Sequence, residues 1–153
     1  MDIKIICIGK IKESYLTNAI EEYKKRLKVF CNLEIIELKE FNNIDINKNI
    51  ELESELILDN IKKTDYVIAL SIKGKNISSE DFAEAIKNHY TYNSSTITFV
   101  IGGSNGYDNR VLQRANYELS FGKMTFPHQL MRVILLEQVY RCMMINNNHK
   151  YHK

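Results

Sequence analysis

An open α/β sheet, mainly parallel and flanked by helices, is the fold class this sequence predicts. Three observations point there. Apolar runs of strand length (Ile3–Ile8, Tyr66–Ser71 and Ile97–Ile101) carry almost no polar alternation, as strands buried on both faces require. Segments with apolar residues at helical spacing alternate with them. No repeat or linker divides the chain, so residues 1–153 read as one domain around one sizeable core.

Ile3–Ile8 is a strand closed by Gly9. Tyr15, Leu16, Ala19, Ile20, Tyr23, Leu27 and Phe30 then recur at helical spacing, with Glu21, Glu22, Lys24, Lys25, Arg26 and Lys28 on the wet face. Leu33–Leu38 alternates imperfectly and gives a second strand. The asparagine-rich Asn42–Asn49 lacks a period and reads as a loop. A helical stripe through Ile46, Ile50, Glu53, Leu56, Ile57 and Ile61 follows, ending near Lys62-Lys63. Tyr66–Ser71 suits a sheet interior, and Lys73-Gly74-Lys75 reads as a turn.

Ser78 and Asp81 have the spacing of a capping box, opening a helix whose stripe is Phe82, Ile86 and Tyr90. His89 near its end is favoured there by the helix dipole and takes no chemical role. Ile97–Ile101 is a fourth strand, Asp108–Arg114 a short helix and Tyr117–Phe121 a fifth strand. The longest helix is Pro127–Asn146. Its Leu130, Val133, Ile134, Leu136, Val139, Tyr140 and Met143 cover more than one side, which calls for two apolar partners. The sheet is one; the same helix of a second subunit is the other, so a homodimer is expected. The tail Asn146–Lys153 is polar and basic.

A net charge of +2 does not announce a nucleic-acid partner, so any RNA-binding residues must be gathered on one face. Cys7, Cys31 and Cys142 are far apart and have no metal-ligand spacing, which predicts neither a disulfide framework nor a metal site. Cys7 and Cys142 fall in apolar runs and read as core residues. No segment approaches the ~20 apolar residues that span a bilayer, and the N-terminus lacks a signal peptide. A cytoplasmic protein with no membrane partner is expected.

Chemistry concentrates between Thr96 and Arg132. The fourth strand runs into Gly102-Gly103-Ser104-Asn105-Gly106; the fifth runs into Gly122-Lys123-Met124-Thr125-Phe126, closed by Pro127, the only proline. Glycine lets a ligand approach the main chain and permits positive φ. Two such loops side by side at one sheet edge would hold a flat ring with a polar tail. Pro127 suits the start of a helix, which leaves the amides of His128 and Gln129 as free donors.

These residues, together with Leu119–Arg132, Glu137-Gln138-Val139-Tyr140-Arg141 and the ending Tyr151-His152-Lys153, closely resemble the RlmH family. That family comprises ribosomal large-subunit RNA methyltransferases acting on a pseudouridine, within the SPOUT superfamily. The resemblance spans the whole chain. It implies S-adenosylmethionine as methyl donor, N3 of a pseudouridine as acceptor, and a deep trefoil knot in the C-terminal half, which ordinary topology rules would never suggest. By motif position it places Leu70, Gly102, Phe121, Gly122, Lys123, Met124, Thr125 and Phe126 around the cofactor. Leu70 and Phe121 would wall the purine while main-chain groups read its edge.

For the transfer itself, Arg132, Arg141, Tyr151 and His152 are the catalytic candidates, with His128 orienting the cofactor loop. The arginines could contact phosphate or an imide anion, or simply pair with Glu137 or Glu118. The tail is expected to close over the cofactor, from its own subunit or from a partner's. The small net charge favours an assembled ribosome over naked RNA as substrate. Two other classes compete. A dinucleotide oxidoreductase fails on spacing, because Gly102-Gly103-x-x-Gly106 is not GxGxxG and no acidic residue follows at the required distance. A non-catalytic RNA- or ribosome-binding module fits the composition equally well.

Overall fold

Five strands run parallel in one sheet of order β2-β1-β4-β3-β5. They are β1 (Asp2–Ile8), β2 (Asn32–Leu38), β3 (Tyr66–Asn76), β4 (Ile97–Ile101) and β5 (Tyr117–Ser120). The helices between and after them are α1 (Ser14–Leu27), α2 (Ile46–Asp59), α3 (Ser79–Tyr92), α4 (Asn109–Arg114) and α5 (His128–Asn146). This computed structural model describes residues 1–93 and 95–153.

The unbroken apolar strands are the central ones. Ile3, Ile5 and Cys7 of β1 join a core beneath α1, α3 and α5, while Ile6 and Ile8 point to the other face, where Ile57 of α2 and Val111 of α4 cover them. Period 2 along a strand buried on both sides produces this division. β2, at one edge, alternates between exposed and half-buried residues, which explains its imperfect pattern. The three cysteine thiols are free and buried. Burial pushes Cys7 and Cys31 up to about 11 and Cys142 up to about 12.

Several expectations give way to packing. α2 begins inside the segment read as a loop, because Asp45 caps it through Asn47 N–H and Lys48 N–H. The buried Asn49 side chain accepts from Asn43 N–H at 2.8 Å and donates to Asn43 O at 2.9 Å, so an asparagine run that lacks apolar period clasps itself. α2 also stops at Asp59, short of Lys62-Lys63. Tyr15 lies outside the core at 66% exposure. Lys73-Gly74-Lys75 is no turn: it lies within β3 where pairing with β5 slips from Leu70 to Lys75 opposite Leu119. A Cβ at Gly74 would stand 2.8 Å from the Glu118 and Leu119 backbones, so only glycine lets the irregular strand lie this close.

α3 starts as expected, with Asp81 N–H donating to Ser78 Oγ at 3.0 Å. His89 is stacked on Tyr66 at 4.2 Å and bonded to Ser95 Oγ at 2.9 Å rather than simply solvated. α5 lies between α1 and α3 against the sheet, so the partners its apolar circumference demanded are largely within the same chain. Its pattern therefore does not require a second subunit.

A buried ion pair closes the N-terminal end of the sheet. Lys4 Nζ lies 2.8 Å from Asp65 Oδ2 and donates to Asn60 O, while Thr98 Oγ1 and Lys62 N–H both donate to the same carboxylate. Burial alone would raise the Asp65 carboxyl, but these bonds and the Lys4 charge outweigh it and hold it below its ordinary value. A carboxyl depressed in the folded state adds stability above its unfolded value, ~3.9, and that contribution is lost as pH falls through the folded value. Urea titrations below about pH 4 should therefore show stability falling with acidification in the native protein, with a shallower fall in Asp65→Asn.

Candidate cofactor cleft

The C-terminal ends of β3, β4 and β5 meet in a cleft of about 950 Å³, at the upper end of the roughly 300–1,000 Å³ usual for small-molecule sites. Both glycine loops line it. In the first, Gly106 turns at φ +75° and its N–H donates to Gly103 O at 3.0 Å. The preceding glycines are required by this closure. A Cβ at Gly102 would come within 2.9 Å of the Tyr107 ring and 3.0 Å of Gly106; one at Gly103 would come within 2.7 Å of Glu53 Oε1 and 3.1 Å of Ile8.

Tyr107 then ties the loop to the sheet by donating its hydroxyl to Leu70 O. Burial, reinforced by Glu118, raises its phenol well above the ordinary value, so it remains a donor. One acceptor position of Leu70 O is thus occupied from within the protein.

The second loop is organised by Ser120. Its hydroxyl accepts Gly122 N–H at 3.1 Å and lies 3.0 Å from Gly122 O and 3.2 Å from Ile72 O. Gly122 sits at φ +119°, which glycine alone tolerates without strain. The main-chain N–H groups of Met124 and Thr125 make no backbone hydrogen bond among the described residues.

The third wall is the start of α5. Pro127 takes the cap position, one residue before the first helical turn, and no side chain caps the helix, so its first amides stay open. His128 lines the cleft, and its Nε2 is buried with no hydrogen-bond partner. Burial lowers the His128 imidazole, Arg132 adds to that and Glu40 opposes it, which leaves the ring neutral at pH 7.

Of the residues placed at the cofactor, Leu70, Gly102, Phe121, Gly122, Met124, Thr125 and Phe126 all line this cleft. Lys123 does not: it is exposed and lies in sequence between two lining residues, Gly122 and Met124. The four catalytic candidates are not brought to it within the chain. Arg132 is 1% exposed, and its two terminal guanidinium nitrogens are taken by Glu37 Oε2, Ile8 O and Gly9 O, each at 2.7 Å. It pairs with neither Glu137 nor Glu118, and it is not free to meet a substrate.

Arg141, Tyr151 and His152 do come together, around Glu137. Arg141 binds Glu137 Oε1 at 2.6 and 2.9 Å, while Tyr151 and Tyr23 donate to Oε2 at 2.9 and 2.6 Å. His152 lies 3.2 Å from Arg141 and 2.8 Å from Glu80. Burial would raise the Glu137 carboxyl, but bonds from Tyr23, Arg141 and Tyr151 hold it below its ordinary value. Arg141 is ~15 Å farther along the helix axis than Met131 of the cleft wall, at about 1.5 Å per residue. None of Arg141, Tyr151 and His152 lines the cleft of its own chain.

Tyr107 and Ser120 were not singled out from sequence. A tyrosine directly after the third glycine was the available signal for the first; a serine inside a strand gives none.

The donor set fits a nucleotide-like cofactor: apolar side walls, bends of accessible main chain and open helix-start amides, with no carboxylate among the described lining residues. Among the described residues no cluster of His, Cys, Asp or Glu could hold a metal ion, and no helix is long and apolar enough to cross a membrane.

Residues 1–152 match the family described as "Predicted SPOUT methyltransferase". A protein of Clostridium botulinum (strain Hall), named "Ribosomal RNA large subunit methyltransferase H", is 54% identical over 159 aligned positions covering all of both chains. The protein of that name from Lactobacillus helveticus (strain DPC 4571) is 49% identical with the same coverage. Among solved structures, a probable methylase family protein from Haemophilus influenzae Rd KW20 superposes with TM-score 0.56 at 17% identity, over 99% of this chain and 70% of that one. At that identity the likeness concerns the fold.

Proposed function

This chain belongs to the SPOUT methyltransferase family, and from that membership and the cleft we propose that it methylates N3 of a pseudouridine in large-subunit ribosomal RNA. The cleft bounded by both glycine loops is the observation that carries the reading. S-adenosylmethionine is the methyl donor in it, supplying a methyl group already activated by a sulfonium. Leu70 and Phe121 would wall the adenine, and main-chain groups from Gly102 and from Gly122 to Phe126 would hold its edge and the ribose. The protein's remaining work is to align the acceptor nitrogen and exclude water, an orientational contribution of up to roughly 7–11 kcal/mol.

The acceptor must also lose a proton. His128 lines the cleft with its imidazole held neutral by burial, and its unbonded Nε2 makes it the candidate proton acceptor. Arg141, Tyr151 and His152 enter from a second copy of the chain, since their own copy holds them about Glu137. A homodimer in which each tail covers the partner's cleft follows. The trefoil knot belongs to the same reading, supported by a β4–β5 connection that passes β3 to reach the sheet edge. Residues 1–153 act as a single methyltransferase domain, metal-free and in the cytoplasm where ribosomes are assembled.

Calorimetry and a methylation assay test this together. The protein should bind S-adenosylmethionine and not NAD, and should methylate assembled ribosomal particles in preference to isolated RNA. Binding of neither ligand would favour a non-catalytic ribosome-binding module. Deleting Tyr151–Lys153 should leave cofactor affinity within about threefold and reduce turnover by at least ~10-fold, the scale of a lost positioning contact. Unchanged turnover in that truncation would remove the tail from the mechanism.

A further inference from the structure

We propose that Lys10, Lys12, Lys73 and Lys123 form a phosphate-binding rim for the RNA strand that delivers the target base to the cleft. The inference rests on the ribosomal RNA reading above and adds which residues hold the polymer. All four lysines lie at the C-terminal edge of the sheet. Lys10 and Lys12 follow β1, Lys73 is in the irregular end of β3, and Lys123 follows β5. In the order β1-β4-β3-β5 they bracket the cleft, and β4, which ends in the first glycine loop, carries none. Three inter-strand spacings give a track roughly 14 Å long, enough for a few nucleotides.

The charges on this track are uncommitted. All four lysines are exposed, and among the described residues none enters an ion pair, whereas Lys4, Lys24, Arg26, Lys48, Arg110, Arg132 and Arg141 all do. Two further lysines on this edge, Lys39 and Lys75, lie over the rings of Phe41 and Tyr117. Of the carboxylates here, Glu37 is taken by Arg132 and Asp108 by Arg110. Among the described residues Glu13, Glu40, Glu118 and the buried Glu53 enter no ion pair, four carboxylates against the six lysines of this edge.

The rim is also interleaved with apolar surface. Ile72 is 54% exposed, Met124 80% and Phe126 36%, all beside the lysines. Phosphates beside a platform on which an unstacked base can lie are the requirements of single-stranded RNA. An acidic protein surface would use the lysines and leave that platform idle.

Fluorescence anisotropy with a labelled uridine decamer, across about 50 to 200 mM salt, measures the contribution. Each phosphate neutralised, with release of its counterions, steepens the logarithmic salt slope by about 0.7 for a single strand. Lys10→Gln/Lys12→Gln/Lys73→Gln/Lys123→Gln should flatten it by ~2–3, and Lys10→Gln/Lys12→Gln alone by about half of that. Lys24→Gln/Lys25→Gln/Lys62→Gln/Lys63→Gln, at other surfaces, should leave it unchanged.

An unaltered slope in folded rim variants, or an equal loss in the control, overturns the proposal. So does polyglutamate competing as strongly as the decamer, which would make the partner an acidic protein. Calorimetry on the unmodified protein separates the two levels. Absent S-adenosylmethionine binding sinks the cleft reading, whereas normal binding with an unaltered slope sinks the rim alone.

Discussion

Gly102→Val should lower S-adenosylmethionine affinity by more than ~100-fold, the scale expected when a binding wall is displaced rather than trimmed. The new side chain has nowhere to go. Its Cβ alone falls 2.9 Å from the Tyr107 ring and 3.0 Å from Gly106, where real Cβ contacts are essentially absent or very tight. Tyr107 must swing away, its bond to Leu70 O breaks, and the two glycine loops lose their common wall. The damage extends beyond the ligand surface, so a stability loss of about 1–3 kcal/mol should accompany it, as for other overpacked positions. Calorimetry and thermal unfolding on the same preparation separate the effects. A folded variant that binds the cofactor within a few-fold of the parent would show that the ligand lies elsewhere.

Arg132→Met should destabilise the fold by about 3–5 kcal/mol, measured by urea unfolding. Arg132 reaches back from α5 to the end of β1 and satisfies Ile8 O and Gly9 O, both at 2.7 Å, besides pairing with Glu37. Each buried carbonyl left without a donor costs about 1–3 kcal/mol. The Glu37 share is smaller, because that side chain is 37% exposed and partly screened by water. Arg132→Lys should recover less than half of the loss, since one ammonium cannot span three acceptors in a fork. A loss below ~1 kcal/mol would mean that water replaces the guanidinium and that the arginine is available for other work.

The residues that were legible in sequence are those where a local pattern and the global fold agree. β1 and β4 carry apolar side chains for both faces, so a continuous run could only be an interior parallel strand. The glycine loops were legible for the same reason: glycine after a strand signals a backbone requirement. Less legible were positions whose role is set by a distant partner. Arg132 reads as a charged helix residue, and nothing local shows that β1 ends in two carbonyls needing a donor. Gly74 reads as a turn until Glu118 and Leu119 come alongside. Asn49 reads as loop filler until Asn43 folds onto it. The tail motif was visible, but its place against Glu137 depends on Tyr23, more than a hundred residues upstream.

The three sulfhydryl groups bear on how this molecule can be handled. Each is enclosed, and each is pushed to about 11 or higher, so almost none of the nucleophilic thiolate exists at neutral pH. Maleimide dyes, mild oxidants and air should pass the native protein by. A single cysteine introduced on the surface would then be the sole reactive handle, and a spin label or fluorophore attached there would report the docking of ribosomal RNA without background from the parent chain.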